Sequence, residues 1–304
     1  MATTFDAVTP LCADTARERG DVMHGTALHV QRFLLIEHPG PWAFDALGES
    51  GIDAAVQRQL LEASRDAGAR SLLIRRHGRV AESAERRWAV ADVTGGGIRW
   101  GTWRDDDDLL AARDALALPN EGPGGGWSND PVLLVCTHGR HDTCCAIRGR
   151  PVAAALTERH GDLVWECSHV GGDRFAPSVV VLPDGTYYGG LDDGDAGDVV
   201  DRHLSGAVTP SRLRGSSLLP PVAQAAAVAA HERFGPGGAR DVRSASVETI
   251  GPSRWQVELS CVGPLPARVV AQVEAHRAAP AVLTCRAAQA TSARTFTVTD
   301  LQAV

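Results

Sequence analysis

Short, nearly continuous apolar runs bounded by turn residues recur along this chain and set the expected architecture. Arg32–Ile36 (RFLLI), Arg70–Ile74 (RSLLI), Val132–Cys136 (VLLVC), Leu163–Cys167 (LVWEC) and Val179–Leu182 (VVVL) have the length and composition of buried strands. Between the first two, Asp53–Ala67 carries leucine, valine and alanine at helical spacing. Trp88–Val93 and Ile98–Trp103 flank a TGGG turn as a hairpin, and Asp105–Asp108 opens a helix that ends before Pro119. After the linker-like stretch Pro119–Pro131 (PNEGPGGGWSNDP) the order repeats. A strand ending at Cys136 leads into the loop His138–Cys145 and a helix Pro151–Arg159, with Pro151 expected in its first turn. Leu163–Cys167 is again a strand, Val179–Leu182 and Tyr187–Leu191 form a hairpin across Pro-Asp-Gly, and Asp192–Leu204 runs into a helix.

Both halves therefore read strand, loop, helix, strand, loop, hairpin, helix, and RRWAVADVTGGGIRWGTWRDDDDLLAARDAL lines up with SVVVLPDGTYYGGLDDGDAGDVVDRHL. We read this as an internal duplication of a thioredoxin-like α/β unit. The units are expected in tandem, over residues 1–118 and 130–205, with His38–Trp42 (HPGPW) at the place of the Cys136 loop. Residues 206–304 are expected to supply a connection (RLRGSSLLPP), an alanine-rich helix and a small α/β extension. Its order is expected to be strand, strand, helix, strand, strand, with the helix near Ala267–Arg277.

Candidate chemistry concentrates in the second unit. Four of the seven cysteines fall between Cys136 and Cys167, beside His138, His141, His169, Gly171, Gly172 and Asp173. Cys136 ends a strand, where α/β folds place functional loops, and Cys144 and Cys145 precede a helix. A helix N-terminus favours thiolate, the form that binds metal. Thiolates from one loop with imidazole or carboxylate from the other make a metal-site constellation, whereas Cys136 and Cys167 taken singly would read as small buried hydrophobes. Cys261 and Cys285, which end two expected strands in the tail, read the same way.

The runs CTHGRHDTCCAIRG and SHVGGDRFAPSVVVLPDGTYYG resemble the sucrase/ferredoxin-like family, most closely over residues 130–192. The resemblance implies a thioredoxin-like ferredoxin whose [2Fe–2S] cluster takes two cysteines with eight residues between them, then the histidines of His-x-Gly-Gly-His. Cys136 and Cys145 match the cysteine spacing and His169 the first histidine, but Asp173 stands where the second is expected. The fourth ligand is therefore open between Asp173, which has position, and Cys167, which has softer chemistry, with Cys144, His138 and His141 behind them. Zinc held by the same residues, or thiol chemistry at Cys144–Cys145, are the alternatives; the latter has no Cys-x-x-Cys.

Composition narrows the rest. All 30 basic residues are arginine, which excludes lysine Schiff-base and P-loop chemistry, and the net charge of −7 disfavours nucleic acid. The opening residues lack a secretory pattern and no apolar run spans a bilayer, so a cytoplasmic protein away from membranes is expected. Arg140, Arg148, Arg150 and Arg174 surround the cysteine loops and could dock an acidic redox protein partner. The acidic runs Asp105–Asp108 and Asp192–Asp198 sit at helix starts, where they complement the dipole, so they do not argue for sucrose hydrolysis. An electron carrier rather than an enzyme is the expectation.

Overall fold

Successive side chains of a strand point to opposite faces, and in β1 (Arg32–Glu37) both faces are apolar. Phe33 and Leu35 enter one core while Leu34 and Ile36 enter another, so this strand needs cover on both sides. The computed structural model describes residues 10–78, 85–122 and 125–304, and there β1 lies inside a nine-stranded mixed sheet. Residues 1–9 of the opening stretch and 123–124 of the linker lie outside the described residues.

A short helix α1 (Cys12–Glu18) precedes β1, followed by α2 (Ala54–Asp66), β2 (Ala69–Arg75), β3 (Arg86–Asp92), β4 (Gly97–Trp103) and α3 (Leu110–Ala117). The second unit runs β5 (Val132–Cys136), α4 (Thr143–His160), β6 (Val164–Cys167), β7 (Ser178–Leu182), β8 (Thr186–Gly189) and α5 (Ala196–Leu204). In each unit the first two strands are parallel, the third is antiparallel to the first, and the fourth pairs with the third. The order β4-β3-β1-β2 is repeated as β8-β7-β5-β6, the same thioredoxin-like unit twice.

The two copies meet where β2 pairs antiparallel with β6 through Ile74 opposite Cys167 and Arg75 opposite Glu166. One face of the joined sheet carries a core shared by both units, including Phe33, Ile74, Leu134 and Trp165. The other face is divided: α2 and α3 cover the first unit, α4 and α5 the second.

Four local expectations change. The helix α4 begins at Thr143, well ahead of Pro151, because Asp142 caps it by accepting the amide of Cys144 at 2.8 Å. Part of the connection after residue 212 is a ninth strand, β9 (Leu213–Ser216), paired with β8 at the sheet edge. After α6 (Pro221–Phe234) come β10 (Val242–Gly251), β11 (Arg254–Cys261), β12 (Arg268–Arg277) and β13 (Arg294–Ala303), a four-stranded antiparallel sheet covered on one face by α6. The segment expected as a helix is thus the strand β12. Val269, Ala271 and Val273 alternate inward, a period of two, and both edges of the strand are paired. Finally, Cys285 does not end a strand but lies in the loop between β12 and β13, whereas Cys261 is buried against α6 as expected.

The seam contains a buried carboxylate. Glu166 receives hydrogen bonds from Arg75 at 2.8 Å, His77 Nδ1 at 2.8 Å and the Thr137 hydroxyl at 2.9 Å. Burial pushes its pKa up, but the hydrogen bond from His77 and the charge of Arg75 outweigh it and hold it below the ordinary value. Because the folded pKa is depressed, this stabilisation is complete above the ordinary value of 4.5 and is lost as pH falls through the folded pKa. Glu166→Gln should cost about 2–4 kcal/mol at neutral pH by leaving Arg75 unpaired, the partly exposed arginine moderating the loss. Urea unfolding at pH 7 and pH 4 should show that gap closing in acid.

Candidate metal centre

The end of β5 and the start of α4 are held in close contact by a missing side chain. A Cβ on Gly149 would lie 2.1 Å from the Cys136 carbonyl oxygen, so only glycine lets the helix approach. That approach brings Cys145 to Cys136. On the other side, the chain leaves β6 and turns through Gly171 and Gly172, at φ +85° and +78°, returning His169 and Asp173 to the same place.

One ligand atom each from Cys136, Cys145 and His169 lies within 4.8 Å of the others, and His141, His169 and Asp173 form an overlapping group of the same size. Asp173 Oδ1 lies 3.5 Å from Cys145 Sγ and 3.1 Å from His169 Nδ1. The latter approach makes no hydrogen bond, so His169 Nδ1 is buried without a hydrogen-bonding partner, while Nε2 accepts the Gly171 amide at 3.1 Å. The neighbouring Cys145 thiol draws the Cys136 pKa down, and Cys136 together with burial raises that of Cys145. Burial lifts the Asp173 carboxyl to about 6, with His169 opposing the rise.

The remaining candidates are placed differently. Cys167, fully buried, packs in the shared core beside the seam, and its thiol is not brought into either group. Burial drives its pKa up, as expected of an un-ionised core thiol. Cys144 points away from Cys145, toward Cys12 and Cys285. Both nitrogens of His138 are occupied, with Nδ1 accepting the His169 amide at 3.3 Å and Nε2 donating to the Ala43 carbonyl at 2.6 Å. His141 remains at the rim, its ring stacked on His169 at 3.7 Å and on Phe44 at 4.9 Å. Burial and the neighbouring His169 and His138 lower its pKa to about 4.

Two features were not legible in the sequence. The first unit's loop lies over the second unit's site, with Trp42 edge-on to His138 at 5.8 Å and Phe44 on His141. Beneath the glycine turn, Arg214 of β9 is 1% exposed and donates to the Gly171 carbonyl at 2.9 Å, Ser178 Oγ at 3.0 Å and the Thr26 carbonyl at 2.7 Å. Among the described residues it has no acidic partner within ion-pair distance, and burial lowers its pKa to about 10. Of the four arginines singled out from the sequence, Arg148 pairs with Asp14 and Arg174 with Asp21, while Arg140 and Arg150 are exposed.

A duplicated thioredoxin-like sheet with two thiols, an imidazole and a carboxylate gathered at one loop pair defines a candidate metal protein of the soft-ligand class. Residues 23–215 match the sucrase/ferredoxin-like family, and the chain belongs to it. Solved structures similar to it include the thioredoxin-like [2Fe-2S] ferredoxin from Aquifex aeolicus, at 23% identity over 30% of this chain and 94% of that one, TM-score 0.26. A cysteine-to-serine variant of that ferredoxin gives 22% identity over 28% and 97%, TM-score 0.25. A search of curated proteins finds no match. Among the described residues no helix is long and apolar enough to cross a membrane.

Gly149→Ala should force α4 off the end of β5 and separate Cys145 from Cys136, lowering metal content while circular dichroism keeps its shape. Arg214→Met should act from the opposite side, since each buried carbonyl left unpaired costs about 1–3 kcal/mol. Metal analysis beside thermal unfolding separates the two effects.

Proposed function

We propose that the chain carries single electrons on a [2Fe–2S] cluster held by Cys136 and Cys145 on one iron and His169 with Asp173 on the other. The observation that supports this most directly is the convergence of these four side chains in a member of this family. The donor set suits the group: two buried thiols close to one another, and a buried imidazole nitrogen with no hydrogen-bonding partner. Such a cluster supplies one-electron chemistry, and a nitrogen ligand in place of thiolate raises its potential.

The chain's own residues supply the setting. Burial keeps water from the thiols, and the uncompensated charge of Arg214 offsets negative charge at Cys136 and Asp173. The stacked rings of His169, His141 and Phe44 lead from the ligands to a side chain 53% exposed. Arg286 lies over that ring at 4.6 Å, and exposed Arg140 is adjacent through its carbonyl, so this face suits an acidic redox protein. A single zinc ion is the second reading, favoured by the 4.8 Å compactness of the group.

Anaerobically purified protein should absorb in the visible and contain iron and sulfide. Cys136→Ser or Cys145→Ser should abolish both signals, and His169→Ala should damage them, whereas Cys167→Ala and Cys261→Ser should leave them intact. Asp173→His should retain the cluster with a raised potential, because removing negative charge eases reduction; about 59 mV corresponds to a tenfold change for one electron. A colourless protein with stoichiometric zinc at Cys136 would establish the second reading instead.

A further inference from the structure

A second sulfur cluster lies on the far side of the α4 N-terminus. Cys12 of α1, Cys144 of α4 and Cys285 of the β12–β13 loop come from three distant parts of the chain. The Sγ of Cys144 lies 3.5 Å from that of Cys12 and 3.1 Å from that of Cys285. All seven cysteines are free thiols, so none of these three is joined to another.

The fourth side is closed by Asp142, which is fully buried. Its Oδ1 accepts the Cys144 amide at 2.8 Å, its Oδ2 accepts the Cys285 amide at 2.7 Å, and Cys12 Sγ is 4.0 Å from both oxygens. One ligand atom from each of the four residues lies within 4.8 Å of the rest. The geometry points to a second metal site here, a tetrahedral zinc ion held by Cys12, Cys144, Cys285 and Asp142.

Two independent features favour a cation over a hydrophobic packing of thiols. The first is spacing. Zinc–sulfur bonds of about 2.3 Å put tetrahedral sulfurs about 3.8 Å apart, so these sulfurs need only a small separation to admit the ion. The second is the backbone around them. The Ala13 amide donates to Cys144 Sγ at 3.4 Å and the Cys12 amide to Cys285 Sγ at 3.4 Å, an arrangement that stabilises thiolate sulfur. Asp142 supplies a further anionic oxygen already fixed by two amides, so the site needs no large rearrangement.

Such an ion would tie three segments together: the N-terminal helix, the cysteine helix, and the loop that also places Arg286 on Phe44. It does not depend on what Cys136 and Cys145 hold. Three soft ligands with one carboxylate select zinc over magnesium or calcium, which prefer oxygen.

The test uses full-length protein kept under reductant, with zinc measured by elemental analysis and native mass spectrometry. Wild type and Cys136→Ser should both retain one zinc per chain at this site, with all seven cysteines of the wild type titrating as free thiols on unfolding and one fewer in the variant. Cys12→Ser and Cys285→Ser should each lose that zinc and melt at lower temperature, yet keep the visible spectrum assigned to Cys136 and Cys145. Cys285 lies in a half-buried loop, so Cys285→Ala gives the same measurement should the serine variants misfold. Cobalt titrated into zinc-free Cys136→Ser protein should give the colour of a tetrahedral thiolate site, absent when Cys285 is also replaced. The proposal fails if both Cys12→Ser and Cys285→Ser keep full zinc, if cobalt gives no such colour, or if two of the three sulfurs prove disulfide-bonded in the reduced preparation.

Discussion

The pairing of β2 with β6 governs the rest of this molecule. Two pairs of residues in register join two thioredoxin-like sheets edge to edge, removing an exposed edge from each and making one core continuous across both. The buried Glu166, held by Arg75, His77 and Thr137, fixes the join from within: Arg75 and His77 come from the first unit and Thr137 from the cysteine loop of the second. A carboxylate so placed is costly to bury alone, and here its partners come from both sides of the seam.

From that join follows the site. Antiparallel contact at the seam brings the loop after β1 against the loop after β5, and the copy without cysteines becomes the cover of the copy with them. Trp42, Ala43 and Phe44 therefore confine His138 and His141, and His138 is consumed as a bridge between Ala43 and His169 rather than left to bind a metal. The same seam encloses Cys167, whose neighbours across the sheet are Ile74 and Cys136. From below, Arg214 fastens the glycine turn; any side chain on Gly172 would meet its guanidinium at 2.3 Å.

The C-terminal sheet contributes more than bulk. Its long β12–β13 loop returns to the cysteine helix, where the Cys285 amide engages Asp142 and Arg286 engages the Arg140 carbonyl. An N-cap aspartate normally satisfies amides of its own helix. Here one carboxylate satisfies an amide of α4 and another from residue 285, so the extension and the cysteine loop are oriented by a single buried group.

Much of this was legible in the sequence because it is local. Apolar runs of strand length, repeated in the same order with the same hairpin spacing, specify a duplicated α/β unit, and the strand order bears this out. Cys136 and Cys145 could be singled out because they sit at a strand end and a helix start, and, with His169 and Asp173, because the stretch resembles the sucrase/ferredoxin-like pattern. Tertiary structure alone decided what depends on distant partners. The helix expected near Ala267–Arg277 is a strand because neighbours on both sides complete its hydrogen bonds, which outweighs a residue pattern compatible with either form. Cys167 and Asp173 rank alike by position and chemistry, yet the seam buries one in a core and the glycine turn returns the other to the thiols. Cys12 and Cys285 are separated by almost the whole chain, and no spacing rule links them; only packing of α1 and the last loop against α4 brings their sulfurs to Cys144.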